Sequence, residues 1–111
     1  MQDFAPGYSY VDVAAQYNYA TFFYDRLGVG ESSKPDAISV VQSFMETEIA
    51  NILAKNLRAG EYSGHKFSKV IGAGHSFGSV ITEGVTAKYP MTLGMCSTSL
   101  TECNNPLTYF A

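Results

Sequence analysis

This 111-residue sequence predicts an α/β protein in which helices flank a parallel sheet. Three observations carry that expectation. Two short apolar runs, "YATFFYD" and "KVIGAG", are bounded by turn-forming residues, as buried strands of a parallel sheet are. A helix-forming segment follows each of them. The resulting order of strand, helix, strand, helix, with a candidate third strand in "MTLGMCSTSL", matches parallel units joined by right-handed crossovers.

Residues 8–19 mix aromatic and small apolar side chains and predict a short helix. Residues 19–25 form the first apolar run and lead into the turn-rich "DRLGVGESSKPD". Ser39 with Gln42 makes a candidate capping box for a helix reaching Ala59. On that helix Val41, Phe44, Met45, Ile49, Ile52, Leu53 and Leu57 recur at steps of three and four and give one apolar stripe. Its acidic residues, Glu46 and Glu48, come early, and Lys55 and Arg58 come late, which suits the helix dipole; Gly60 is a natural stop. A polar connector, "EYSGHKFS", precedes the second strand, "KVIGAG". A further helix runs from Phe77 to Lys88, and Pro90 ends it.

The composition, 46% hydrophobic and 15% charged, is that of a foldable globular chain with room for one domain. A net charge of -3 and a pI near 5.2 give no electrostatic footprint for nucleic acid. No apolar run is long enough to span a bilayer, and "MQDFAPGYSY" lacks the features of a signal peptide. Cys96 and Cys103 fit neither a CxxC motif nor a zinc site, and both histidines lie far upstream of them. Two free thiols and one disulfide are equally compatible with the sequence. There is no internal repeat, no low-complexity linker and no N-x-S/T acceptor.

The stretch "KVIGAGHSFGSVITEG" poses the functional question, because two machines begin as strand, glycine turn and helix. A dinucleotide cradle needs GxGxxG, and the position of its third glycine holds Phe77. Its acidic residue, expected about 20 positions further on, has no good candidate, since Glu102 is too distant. A nucleophile elbow needs GxSxG, and Gly74-His75-Ser76-Phe77-Gly78 supplies it between strand and helix. There the serine occupies a strained turn, and the N–H of the next residue faces an oxyanion.

Taken together, "YDRLGVGESSKPD" and "GHSFGS" resemble the α/β-hydrolase family, and more narrowly its serine esterase-like branch common in fungi. The resemblance is clearest over residues 8–90; 91–111 are not recognised. It implies one partial α/β-hydrolase domain spanning 1–111, covering about strands four to six of the family's sheet. It implies Ser76 as the nucleophile that forms an acyl-enzyme on an ester-like small-molecule substrate. Phe77 would give one oxyanion N–H, with Gly74, His75 and Gly78 completing the elbow. Asp25 and Arg26 would fix their loop by hydrogen bonds and a salt bridge, with Gly28 and Gly30 permitting tight backbone. No metal, organic cofactor, nucleic acid or membrane span is implied. His75 reads as a structural or pocket-wall residue and His65 as a solvated one.

In that family the order is nucleophile, acid, histidine, and no histidine or aspartate follows Ser76 in this sequence. Glu83 falls on the helix behind the elbow, and Glu102 is a weak candidate acid. No motif for a second oxyanion donor precedes Asp25. The expectation is therefore an incomplete piece of an enzyme, inactive by itself. Its rivals are a non-catalytic, truncated or pseudo-hydrolase interaction module that self-associates through exposed sheet edges, and a Rossmann-type dinucleotide-binding fragment.

Overall fold

The structure is a computed structural model that describes residues 7–92 and 94–97. In chain order the elements are helix α1 (Tyr10–Gln16), helix α2 (Ser43–Ala59), strand β1 (Ile71–Gly74), helix α3 (Phe77–Lys88) and strand β2 (Gly94–Ser97). The two strands pair in parallel, with Ile71 opposite Gly94 and Gly74 opposite Ser97. Helix α3 connects them and packs on both, and α2 packs on α3.

The expected partial α/β-hydrolase fold, a parallel sheet flanked by helices, is overturned. Residues 19–25, expected as a strand, form no regular structure. Among the described residues pairing is confined to two strands of four residues each. A strand persists only where a neighbour takes its backbone hydrogen bonds, and a two-stranded pair alone is marginal. Residues 19–25 have no such neighbour among the described residues. Their aromatic side chains are used instead: the Phe22 ring stacks 5.2 Å from Tyr62 and 6.5 Å from Tyr24. Helix α2 covers α3 rather than a strand, so the strands are not sandwiched between helix layers.

Local chemistry explains the helix boundaries. In α1 the Ser9 hydroxyl accepts the Asp12 N–H at 3.2 Å, and the helix gives way to Asn18 at φ 62°. The predicted start of α2 at Ser39 fails because Asp36 captures that segment. Its Oδ1 accepts the Ser39 N–H at 2.7 Å, the Ser39 hydroxyl at 2.6 Å and the Ile38 N–H at 3.2 Å. The Gln42 side-chain amide donates back to the Ile38 carbonyl instead of capping. The helix then begins at Ser43, and Gly60 closes it in the left-handed conformation at φ 86°. Arg58 ties its last turn to the chain beyond α3, donating to the carbonyls of Met91 and Thr92 at 3.1 and 3.3 Å.

Along the apolar stripe of α2, Met45, Ile49, Leu53 and Leu57 are half-buried, and the fully buried positions lie beside them. The residues of α2 that are buried are Glu46, Thr47, Asn51 and Ala54, whereas Phe44 and Ile52 are exposed. Thr47, Asn51 and Ala54 follow the three-and-four spacing of one helix face. That face wins because α3 offers it Gly84, where an added Cβ would lie 2.8 Å from Thr47 Oγ1. Two helices can approach this closely only through small or short side chains. Ala54, Ile81 and Val85 are the buried apolar residues among the described ones. A second tie links the helices at the surface, where Lys88 Nζ meets Glu48 Oε1 at 2.6 Å and the Tyr89 hydroxyl bonds both Glu48 oxygens. No helix among the described residues is long and apolar enough to cross a membrane.

Candidate active site

The junction of β1 and α3 is a sharp elbow with Ser76 at its apex. Ser76 has φ 55° and ψ -123°, a conformation that L-residues rarely adopt. The strain is held by neighbouring hydrogen bonds. The Ser76 carbonyl accepts the Ser79 N–H at 2.9 Å and the Ser79 hydroxyl at 2.5 Å, and Ser79 is fully buried. The His75 carbonyl accepts the Gly78 N–H at 3.0 Å. The Ser76 side chain makes no capping bond to its own helix, and the residue is exposed.

Gly74 is needed for the turn to close. A Cβ there would stand 2.2 Å from the Gly78 carbonyl oxygen and 2.6 Å from the Ser79 nitrogen, both backbone atoms. Gly78 is different, since a Cβ at that position meets no atom of the described residues within 4 Å. The second glycine of GxSxG therefore has spare room, and the first has none.

Phe77 is the first residue of α3. Among the described residues no carbonyl takes its N–H, while the next two N–H groups are used by His75 and Ser76. An unused N–H at a helix N-terminus, beside an exposed hydroxyl, is where negative charge is stabilised. His75 is exposed beside the apex, and His65 is exposed in the connector.

The loop after residue 24 is built around Asp25. Its Oδ2 accepts the Glu31 N–H at 3.1 Å, and its carbonyl accepts the Ser32 hydroxyl at 2.5 Å. Gly28 and Gly30 both have positive φ, 79° and 53°. A Cβ on Gly30 would fall 2.0 Å from Asp25 Oδ2, so the carboxylate fills the space a side chain would need. The salt bridge expected to help Asp25 and Arg26 fix this loop is not formed among the described residues. The Arg26 guanidinium instead sits 4.9 Å from the centre of the Phe77 ring, a cation–π contact. This contact joins the two sequence motifs at the elbow, and it was invisible in the sequence because 51 positions separate its partners. The pinning role of Ser79 was also missed, although a serine three residues after the apex is a recurrent local hydrogen-bond pattern.

Glu83 is half-buried on α3, and Glu102 and Cys103 lie outside the described residues. Among the described residues no three His, Cys, Asp or Glu side chains gather as a metal site. No family model matches the chain, and no curated protein or solved structure does so either.

Proposed function

We propose that Ser76 is the nucleophile of a serine hydrolase acting on carboxylic ester-like substrates. The observation that carries the proposal is the backbone of Ser76, held at φ 55° between a strand and a helix with its hydroxyl free of capping duty. Strain of this kind is maintained by the surrounding structure at functional turns. The two motifs shared with the α/β-hydrolase family, around Asp25 and around Ser76, support the same reading, and Arg26 on Phe77 brings them together.

In the proposed reaction Ser76 Oγ forms a bond to the ester carbonyl carbon and gives its proton to a base. The carbonyl electron pair moves onto oxygen, which accepts a hydrogen bond from the Phe77 N–H. Collapse breaks the carbon–oxygen bond to the alcohol, which leaves with the proton, and water then releases the acid. The proposal assigns roles to Ser76 and to the Phe77 N–H alone. A fluorophosphonate probe on the native gene product tests it. The adduct is expected on the tryptic peptide spanning 70–88, and Ser76→Ala is expected to abolish it. Equal labelling of both proteins would sink the assignment.

A second reading, a non-catalytic interaction module, has one observation in its favour. Phe44, Ile52, Ile38 and Met91 are exposed, the last two at 84% and 86%, which leaves large apolar side chains uncovered around a small core. It predicts a concentration-dependent oligomer that is inert to the probe.

A further inference from the structure

Arg26 is half-buried in the loop after residue 24, and its guanidinium lies 4.9 Å from the centre of the Phe77 ring. A cation–π contact draws on the charge of a guanidinium and leaves its five N–H donors unspent. Among the described residues no carboxylate pairs with Arg26 and no oxygen accepts a hydrogen bond from its side chain. Its neighbour Asp25 is already committed, since Oδ2 accepts the Glu31 N–H and fills the space beside Gly30. A guanidinium stays charged, and partial burial strengthens its pull on an anion. Phe77, the residue that carries this cation, directly follows Ser76 in the chain, and consecutive Cα atoms are about 3.8 Å apart. Both residues are exposed, and among the described residues no carbonyl takes the Phe77 N–H. The elbow therefore brings together a hydroxyl, a spare N–H and a spare guanidinium fork. The chain as a whole carries a net charge of -3, so it has no general attraction for anions, and a local cation must supply it.

We propose that Arg26 selects the substrate, and that the ester cleaved at Ser76 carries a carboxylate gripped by the Arg26 fork. The planar guanidinium matches the two oxygens of a carboxylate with two parallel hydrogen bonds. The Phe77 ring holds that fork next to the nucleophile, while the Phe77 N–H faces the ester oxygen. A half-ester of a dicarboxylic acid is the simplest molecule of this class. Its ester carbon meets Ser76 Oγ, and its free carboxylate meets Arg26. Arg26 exchanges no proton and forms no covalent bond; its part is binding. The selection of an ester rests on reading Ser76 as the nucleophile, whereas the capture of a carboxylate beside Phe77 does not.

Two measurements test it. The first titrates the 111-residue chain with monomethyl adipate and, separately, with dimethyl adipate, and follows the Arg26 Nε–Hε signal by NMR. A saturable shift with the monoester and none with the diester is expected. No shift, or an equal and unsaturated drift of all lysine and arginine signals, overturns the proposal. The second compares kcat/KM for the same two esters on the native gene product. The ratio of monoester to diester is expected to fall about tenfold in Arg26→Gln, the size of one lost charge-assisted hydrogen bond. Arg26→Lys keeps the charge but loses the fork, and its ratio is expected to lie between the two. A residue that only staples the loop to Phe77 would alter stability and leave the ratio unchanged, and that result also overturns the proposal. Where Arg26→Gln fails to fold, the wild-type titration decides. Turnover of neither ester, together with a Ser76 that resists the fluorophosphonate probe, counts against the nucleophile, and the titration then decides carboxylate capture by Arg26 on its own.

Discussion

Replacing the two glycines of the elbow one at a time should give opposite results. In Gly74→Ala the new methyl group would stand 2.2 Å from the Gly78 carbonyl oxygen, 2.3 Å from its carbon and 2.6 Å from the Ser79 nitrogen. All three are backbone atoms of the first turn of α3, so no side chain can swing away to make room. Overpacking typically costs about 1–3 kcal/mol, and a backbone obstacle places this variant near about 3 kcal/mol. In Gly78→Ala the methyl group meets nothing within 4 Å and sits inside a helix, where alanine is favoured over glycine by about 1 kcal/mol. Urea denaturation followed by far-UV circular dichroism measures both. The expected outcome is a midpoint well below wild type for Gly74→Ala and one at or above wild type for Gly78→Ala. Equal destabilisation by both, or a Gly74→Ala variant within about 0.5 kcal/mol of wild type, the usual scale of an inconsequential substitution, would refute the geometry argued for the elbow.

Other perturbations follow from the same structure. Ser76→Gly releases a positive-φ strain of about 1–3 kcal/mol, partly offset by the greater freedom of glycine when unfolded. Its stability should therefore exceed that of Ser76→Ala by about 1 kcal/mol in the same denaturation assay. Gly30→Ala should displace the Asp25 carboxylate and cost about 1–2 kcal/mol through the lost Glu31 hydrogen bond and the strained φ, visible as a loosened Glu31 amide in hydrogen exchange. The hydrogen bond from Lys88, and then that from Tyr89, hold the Glu48 carboxyl below its ordinary value of 4.5. The stability Glu48 contributes is therefore present above pH 4.5 and lost as pH falls through its lowered folded value. Thermal melts across that window should show a shallower acid loss in Glu48→Gln than in wild type.

The elbow was legible in the sequence because its glycines and serine report a local backbone requirement. Gly74 cannot carry a Cβ, Ser76 sits at the strained apex, and β1 and α3 lie on either side of it. The loop glycines were legible for the same reason, since Gly28 and Gly30 both have positive φ. What depends on a distant partner was not. The aromatic run at 19–25 has the composition of a strand, yet composition does not supply a neighbour to complete the ladder. The apolar spacing of α2 marked Met45, Ile49, Leu53 and Leu57, which are half-buried, together with Phe44 and Ile52, which are exposed, whereas the most closely packed position, Thr47, is chosen by Gly84 on α3. The early start expected for α2 lost to a purely local competitor, the carboxylate of Asp36. The placement of Arg26 on Phe77, and the burial of Glu46 without a hydrogen-bonding partner among the described residues, are tertiary facts with no signature along the chain.

The nucleophile assignment is tested most directly by mapping the fluorophosphonate adduct on the native gene product and on its Ser76→Ala variant. The account predicts a single adduct on Ser76 within the tryptic peptide 70–88, and none in the variant. An unlabelled native product, or labelling that survives Ser76→Ala, would contradict it.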